Sequence, residues 1–144
     1  MYVEDILKVK GADVITTAPG ETVGATVRLL NVRRIGAVLV RDGAGNLAGL
    51  VSERDIIRAI AVNGERALEM LVRDVMTSEV VTCRPTDTIS EVMKVMTVRR
   101  FRHLPVVEGG ELKGIISIGD VVKHRLEESE METRVLRDYV IAHR

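Results

Sequence analysis

The chain has 144 residues, 46% of them hydrophobic, which suits one domain or two small halves sharing a core and excludes a disordered segment. Its 21 basic and 21 acidic residues cancel, which removes the broad electrostatic case for nucleic-acid binding. A lone cysteine, Cys83, excludes an internal disulfide and a Cys-rich metal site. No apolar run reaches the roughly 18 residues of a membrane span and no signal-peptide pattern opens the chain, so a cytoplasmic protein is the default expectation. The aromatics are only Tyr2, Phe101 and Tyr139, so the core must be Val, Ile, Leu and Met.

Residues 1–12 are a lead-in, predicted helical from Val3 to Lys8. Val14-Ile15-Thr16 is a short extended piece, stopped by Pro19-Gly20. A helix is expected over 22–32, where Val23, Val27 and Leu30 make one apolar stripe. Ile35 to Val40 is an unbroken aliphatic run, the mark of a buried strand. Residues 41–46 carry turn chemistry, with glycines at 43 and 45, and lead into a strand over 47–51. The next helix runs from Glu53 to Val62, with Ile56, Ile57 and Ile60 assigned to its inner face, and Asn63-Gly64 ends it. Residues 65–79 form a link, with a helix around 67–76.

The order then repeats. Val80-Val81-Thr82 is extended, and Thr88 to Val98 is a helix opened by a capping box from Thr88 to Glu91. A strand over 102–107, the turn Glu108-Gly109-Gly110, a strand over 112–117 and a helix over 120–128 follow. Residues 129–144 read as a helical tail with Val135, Leu136, Tyr139 and Val140 on one side.

This repetition is visible residue by residue. Gly49-Leu50-Val51-Ser52-Glu53-Arg54-Asp55 and Gly114-Ile115-Ile116-Ser117-Ile118-Gly119-Asp120 share the pattern Gly, two aliphatics, Ser, two residues, Asp. Glu21-Thr22-Val23 answers to Asp87-Thr88-Ile89, and Val32-Arg33-Arg34 to Val98-Arg99-Arg100. The lead-ins agree too, Val3-Glu4-Asp5-Ile6-Leu7 with Val72-Arg73-Asp74-Val75-Met76. Such an ordered series indicates two half-modules, each strand-helix-strand-strand-helix.

The paired Gly-aliphatic-aliphatic-Ser-x-x-Asp segments, the Val75-Met76-Thr77 lead-in and the strand His103-Leu104-Pro105-Val106-Val107 together resemble a CBS-domain pair, or Bateman module, of the stand-alone type, over about residues 1–128. The resemblance implies a mixed α/β fold (α+β by some schemes) of two tandem motifs packed by pseudo-twofold symmetry. The expected divisions are a first motif with its lead-in over 1–66, a second with its linker helix over 67–128, and a tail over 129–144. It further implies a non-enzymatic sensor that binds AMP, ADP, ATP or NAD(H) in the cleft between its motifs, a homodimer, and a regulated partner protein. The other reading is a dimeric interaction scaffold with empty clefts, the apolar tail adding to the dimer contact.

The residues supply a chemical reason. A carboxylate such as Asp55 or Asp120 can accept hydrogen bonds from two ribose hydroxyls. A Ser three residues earlier, Ser52 or Ser117, sits where free backbone N–H groups and the positive helix end favour phosphate. The same pattern is also a plain helix cap, the simpler reading for one isolated copy. Duplication and the resemblance favour the ligand. Arg33-Arg34 and Arg99-Arg100-Arg102 follow the first helix of each half and read equally as cations favoured at helix C-termini or as a phosphate clamp, since guanidinium is planar and always charged; Arg54 is a further phosphate candidate. Gly119 stands where the first half has Arg54, so the two sites should differ. The resemblance adds His103, Leu104 and Pro105, the first-half stretch Ile35, Gly36 and Ala37 (Ala37 and Leu39 answer to His103 and Pro105), and Thr16 and Thr82 beside the adenine edge. Cys83 is expected to be a passive small residue. No Ser–His–acid set and no metal-ligand spacing stands out, so neither catalysis nor a metal is expected.

Overall fold

The structure, a computed structural model, describes residues 1–11 and 13–143. Contact divides the chain into two compact units, one over residues 13–81 and one joining 1–12 to 82–144. Each contains one repeat, and each borrows the lead-in of the other.

In the 13–81 unit, β1 (Thr16–Thr17) pairs parallel with β2 (Ala37–Arg41), which pairs antiparallel with β3 (Leu47–Ser52). Helix α2 (Val23–Arg33) precedes β2, and α3 (Glu53–Asn63) leaves β3. A 3₁₀ turn (Gly64–Glu69) and the short α4 (Val72–Val75) complete it. The linker is therefore not one helix over 67–76. Met70 and Leu71 are extended, because the Met70 carbonyl must accept the Val23 N–H (2.8 Å) and Leu71 bridges Thr22.

In the other unit, α5 (Ile89–Arg99) is followed by β4 (His103–Glu108) and β5 (Glu111–Ser117), an antiparallel pair, and then by α6 (Ile118–Ala142). Helix α1 (Val3–Lys10) packs here, against β5 and α6. The boundary at residue 66 thus follows chain order but not contact: the lead-in over 1–11 belongs with the second repeat, and the linker with the first. Helix α6 runs unbroken through 25 residues, so the expected tail is its continuation. The extended piece at 80–82 forms no strand; a single parallel bridge from Cys83 to Val106 takes its place.

Both lead-ins dock by the same three backbone bonds. Val72 N–H reaches the Glu21 carbonyl (2.8 Å), Arg73 N–H that of Pro19 (3.1 Å), and Val23 N–H that of Met70 (2.8 Å). In the other unit Val3 reaches Asp87 (2.9 Å), Glu4 reaches Pro85 (2.9 Å), and Ile89 reaches Met1 (3.1 Å).

The cores are duplicates as well. Val23, Leu30, Val38, Val40, Val51, Ile56 and Val72 form the first. Their repeat partners Ile89, Met96, Leu104, Val106, Ile116, Val121 and Val3 are all buried in the second unit. Burying a side chain of this size contributes roughly 1.5–3 kcal/mol, so the repeated apolar positions carry each unit. One expected face is wrong. In α3 the buried residues are Asp55, Ile56 and Ala59, whereas Ile57 and Ile60 are 66% and 44% exposed. The cap at Ser52 fixes the helix phase, and that phase turns Asp55 inward.

The motif glycines mark where each lead-in crosses its strand. A Cβ on Gly49 would lie 2.7 Å from the Thr77 carbonyl oxygen and 2.8 Å from Met76 Sδ. A Cβ on Gly114 would lie 2.7 Å from Leu7 Cδ2.

Candidate ligand-binding corners

The predicted site residues divide cleanly between the units. In the first, β2 and β3 pair Ala37 with Ser52, and the Glu53 N–H bonds the Gly36 carbonyl (3.0 Å). In the second, His103 pairs with Ser117, and the Ile118 N–H bonds the Arg102 carbonyl (2.8 Å). Strand pairing thus brings Gly36, Ala37, Ser52 and Asp55 to one corner, with Ile35 next in the chain. It brings Arg102, His103, Ser117 and Asp120 to the other.

Some predicted residues stand apart. Thr16 pairs with Leu39, farther along β2, and Thr82 is exposed beside the Cys83–Val106 bridge. Leu104 is 1% exposed and belongs to the core. Pro105 is buried, and its carbonyl accepts from the Cys83 N–H (3.0 Å). Arg54 is exposed on the first turn of α3. Arg100 caps α5 with φ 58°, and Arg34 caps α2 with φ 54°, both left-handed, a conformation costing a non-glycine residue roughly 1–2 kcal/mol. Such a residue lets a helix stop and its last carbonyls find partners, as Ile35 N–H does at Leu30 O (3.1 Å).

Both Ser-x-x-Asp segments are capping boxes. The Ser52 N–H donates to Asp55 Oδ2 (2.8 Å) and the Asp55 N–H to Ser52 Oγ (3.4 Å). At the second corner the matching distances are 2.9 Å and 3.1 Å. There the likeness ends. Asp55 Oδ2 also takes the Ser52 hydroxyl (3.0 Å), while Oδ1 takes the Thr77 hydroxyl (3.1 Å) and faces Arg58 Nη1 at 3.7 Å. The residue is 6% exposed. Its carboxylate is filled by its own protein.

Asp120 is more open, with 26% of its side chain exposed. Oδ2 takes the Ser117 N–H and Lys10 Nζ (2.7 Å), and among the described residues no bond falls on Oδ1. Burial opposes its ionisation, but the hydrogen bonds and charge of Lys10 and the Ser117 bonds outweigh it and hold the carboxyl below its ordinary value of 3.8. It is therefore a ready anionic acceptor at neutral pH. Gly119, exposed on the first turn of α6, adds no side chain of its own to that helix start, which Ser117 caps.

Sequence reasoning missed Lys10, Thr77 and Arg58. Lys10 and Thr77 come from the lead-ins, and only the exchange of lead-ins brings them to these corners. Arg58 is three residues past Asp55 on α3 and could have been found by helical spacing. Cys83 is buried, and burial, with Asp87 nearby, pushes its thiol up to about 12, so it stays a protonated packing residue. Among the described residues no group of three or more His, Cys, Asp or Glu side chains could hold a metal ion, and no helix is long and apolar enough to cross a membrane.

Comparison with known proteins agrees with this architecture. The family model for the CBS domain matches residues 3–62 and 72–127. The mitochondrial CBS domain-containing protein CBSX3 of Arabidopsis thaliana is 33% identical over 96% of this chain and 71% of its own length. The chain spans only 32% and 21% of two further relatives. The crystal structure of a CBS-domain containing protein from Agrobacterium tumefaciens matches with a TM-score of 0.84 and 45% identity, over 86% of this chain and 92% of that one. The structure of CBSX2 in complex with AMP matches with a TM-score of 0.72 and 25% identity, over 89% and 98%. The chain, with its two tandem motifs, belongs to the CBS-domain family.

Proposed function

We propose that the protein is a non-catalytic regulatory module that binds an adenosine-containing nucleotide, AMP, ADP, ATP or NAD(H), at the corner of its second repeat. The observation that carries this reading is the Asp120 carboxylate: anionic, partly exposed, and fixed at a strand-to-helix corner with one oxygen that takes no bond among the described residues. A ribose diol suits such a group. At the same corner are the start of α6, to which Gly119 adds no side chain, and the exposed Arg102, with the exposed Arg100 two residues before it in the chain, a setting for phosphate. That CBSX2 crystallised with AMP supports the ligand class. The filled and buried Asp55 makes the first corner a structural cap. The ligand signals by binding one arrangement of the protein more tightly than another, which a partner protein reads.

The test is calorimetric titration of purified, nucleotide-stripped protein with AMP, ATP, NAD and NADH, repeated on Asp120→Ala. Micromolar binding of at least one, lost in a folded Asp120→Ala, is the expected result. No heat with any of them from folded protein contradicts it.

A second reading, the dimeric scaffold, is favoured by α6. Its end exposes Met131, Val135, Leu136, Tyr139 and Val140, each at least 55% accessible. Apolar area of this kind suits a second copy of the chain. A chain cut before residue 129 should fall from two copies per particle to one in light scattering; a particle that still holds two copies removes the tail from the dimer contact.

A further inference from the structure

Lys10 ends α1, the lead-in helix that packs on the second repeat. Its ammonium is held at two points, Asp120 Oδ2 at 2.7 Å and the Ile115 carbonyl at 3.0 Å. An ordinary surface ion pair is held at one, and contributes little. At the first corner the other lead-in brings the neutral Thr77 hydroxyl instead. The two lead-ins therefore deliver different charge: a lead-in cation stands at the corner with the open carboxylate, whereas the cation facing Asp55 is Arg58 of α3 itself, at 3.7 Å.

The acceptor sites of Asp120 are limited. Oδ2 already takes Lys10 and the Ser117 N–H. A ribose diol that bridges both oxygens must take a site from Lys10. Displacing the ammonium costs its ion pair with Asp120, for which an exposed lysine has only water in exchange. A phosphate on the same ribose removes that cost, because the flexible lysine stem can carry the charge from carboxylate to phosphate.

We propose that Lys10 is the specificity-determining residue of the second corner, making it select phosphorylated adenosine over adenosine itself. The inference rests on the nucleotide reading above. Lys10 acts through exchange: the ribose takes Asp120 Oδ2, and the phosphate takes the ammonium.

The experiment is calorimetric titration of the full chain with AMP and with adenosine, on wild type, Lys10→Met, Lys10→Arg and Asp120→Ala, each checked for folding. Wild type should prefer AMP by roughly ten-fold or more, and Lys10→Met should bring the two ligands within about three-fold, chiefly by tightening adenosine. Lys10→Arg should keep most of the preference. AMP binding that is lost in Asp120→Ala but shows an unchanged preference in Lys10→Met overturns the role of Lys10 and leaves the nucleotide reading standing. Equal affinity of wild type for both ligands overturns it as well. A folded wild type that does not bind AMP overturns the role of Lys10, and only failure with ATP, NAD and NADH as well removes the nucleotide reading.

Discussion

The two corners carry the same Ser-x-x-Asp box, with the same backbone bonds and equivalent strand positions, Ala37 and His103, across from the serine. Asp55 is nevertheless buried and bonded on both oxygens, whereas Asp120 is partly exposed and, among the described residues, bonded on one. The difference comes from what the lead-ins deliver. Thr77, pinned to Leu50 by two backbone bonds of 2.9 and 3.0 Å, closes the first corner with a short neutral donor. Lys10 reaches the second at the end of a long side chain and leaves it open. One motif thus serves as a structural cap in one copy and as a candidate receptor in the other, and the surroundings decide which.

Removing the two carboxylates separates these roles most sharply. Asp55→Ala strands the Ser52 N–H, the Ser52 hydroxyl and the Thr77 hydroxyl in a buried place, and should cost about 3 kcal/mol of stability. Asp120→Ala loses a cap and an exposed ion pair, and should cost about 1 kcal/mol. Urea unfolding of both checks this; equal losses would dissolve the distinction. The motif glycines should rank the same way. Gly49→Ala drives a methyl against the Thr77 backbone and should cost about 2 kcal/mol. Gly114→Ala meets only the end of Leu7, which can turn aside, so thermal melts should place it within about 1 kcal/mol of wild type.

The paired left-handed arginines give the smallest effect. Glycine relieves a penalty of roughly 1–2 kcal/mol and gives back about half in backbone entropy, so Arg34→Gly and Arg100→Gly should each stabilise by somewhat under 1 kcal/mol. Only Arg100→Gly should also weaken AMP binding, which titration of the two variants compares directly. Weakening by both would mean that the first corner takes part.

Much of the fold was legible because the repeat doubles each signal. The strand runs at 35–40 and 102–107, the Thr88 capping box and the cap-and-carboxylate corners are local patterns, and local forces make them. The missed features are non-local. Ile56, Ile57 and Ile60 offer two equally apolar helix faces, and only the phase set by the Ser52 cap chooses between them. Nothing in the order of the chain announces that α1 packs on the second repeat. The site was legible as residue types and spacing, namely Ser52, Asp55, Ser117 and Asp120. That the two corners differ was legible from Gly119 standing against Arg54, but which of them is open was not, because Lys10 lies 110 residues from Asp120 in sequence.

The central claim is that the second corner, and not the first, holds the nucleotide. Equilibrium dialysis of AMP against wild type, Asp55→Ala and Asp120→Ala, at a temperature where all three are folded, tests it most directly. The account predicts one AMP per chain in wild type and in Asp55→Ala, and none in Asp120→Ala. Two AMP per chain in wild type, or binding that survives in Asp120→Ala and is lost in Asp55→Ala, would contradict it.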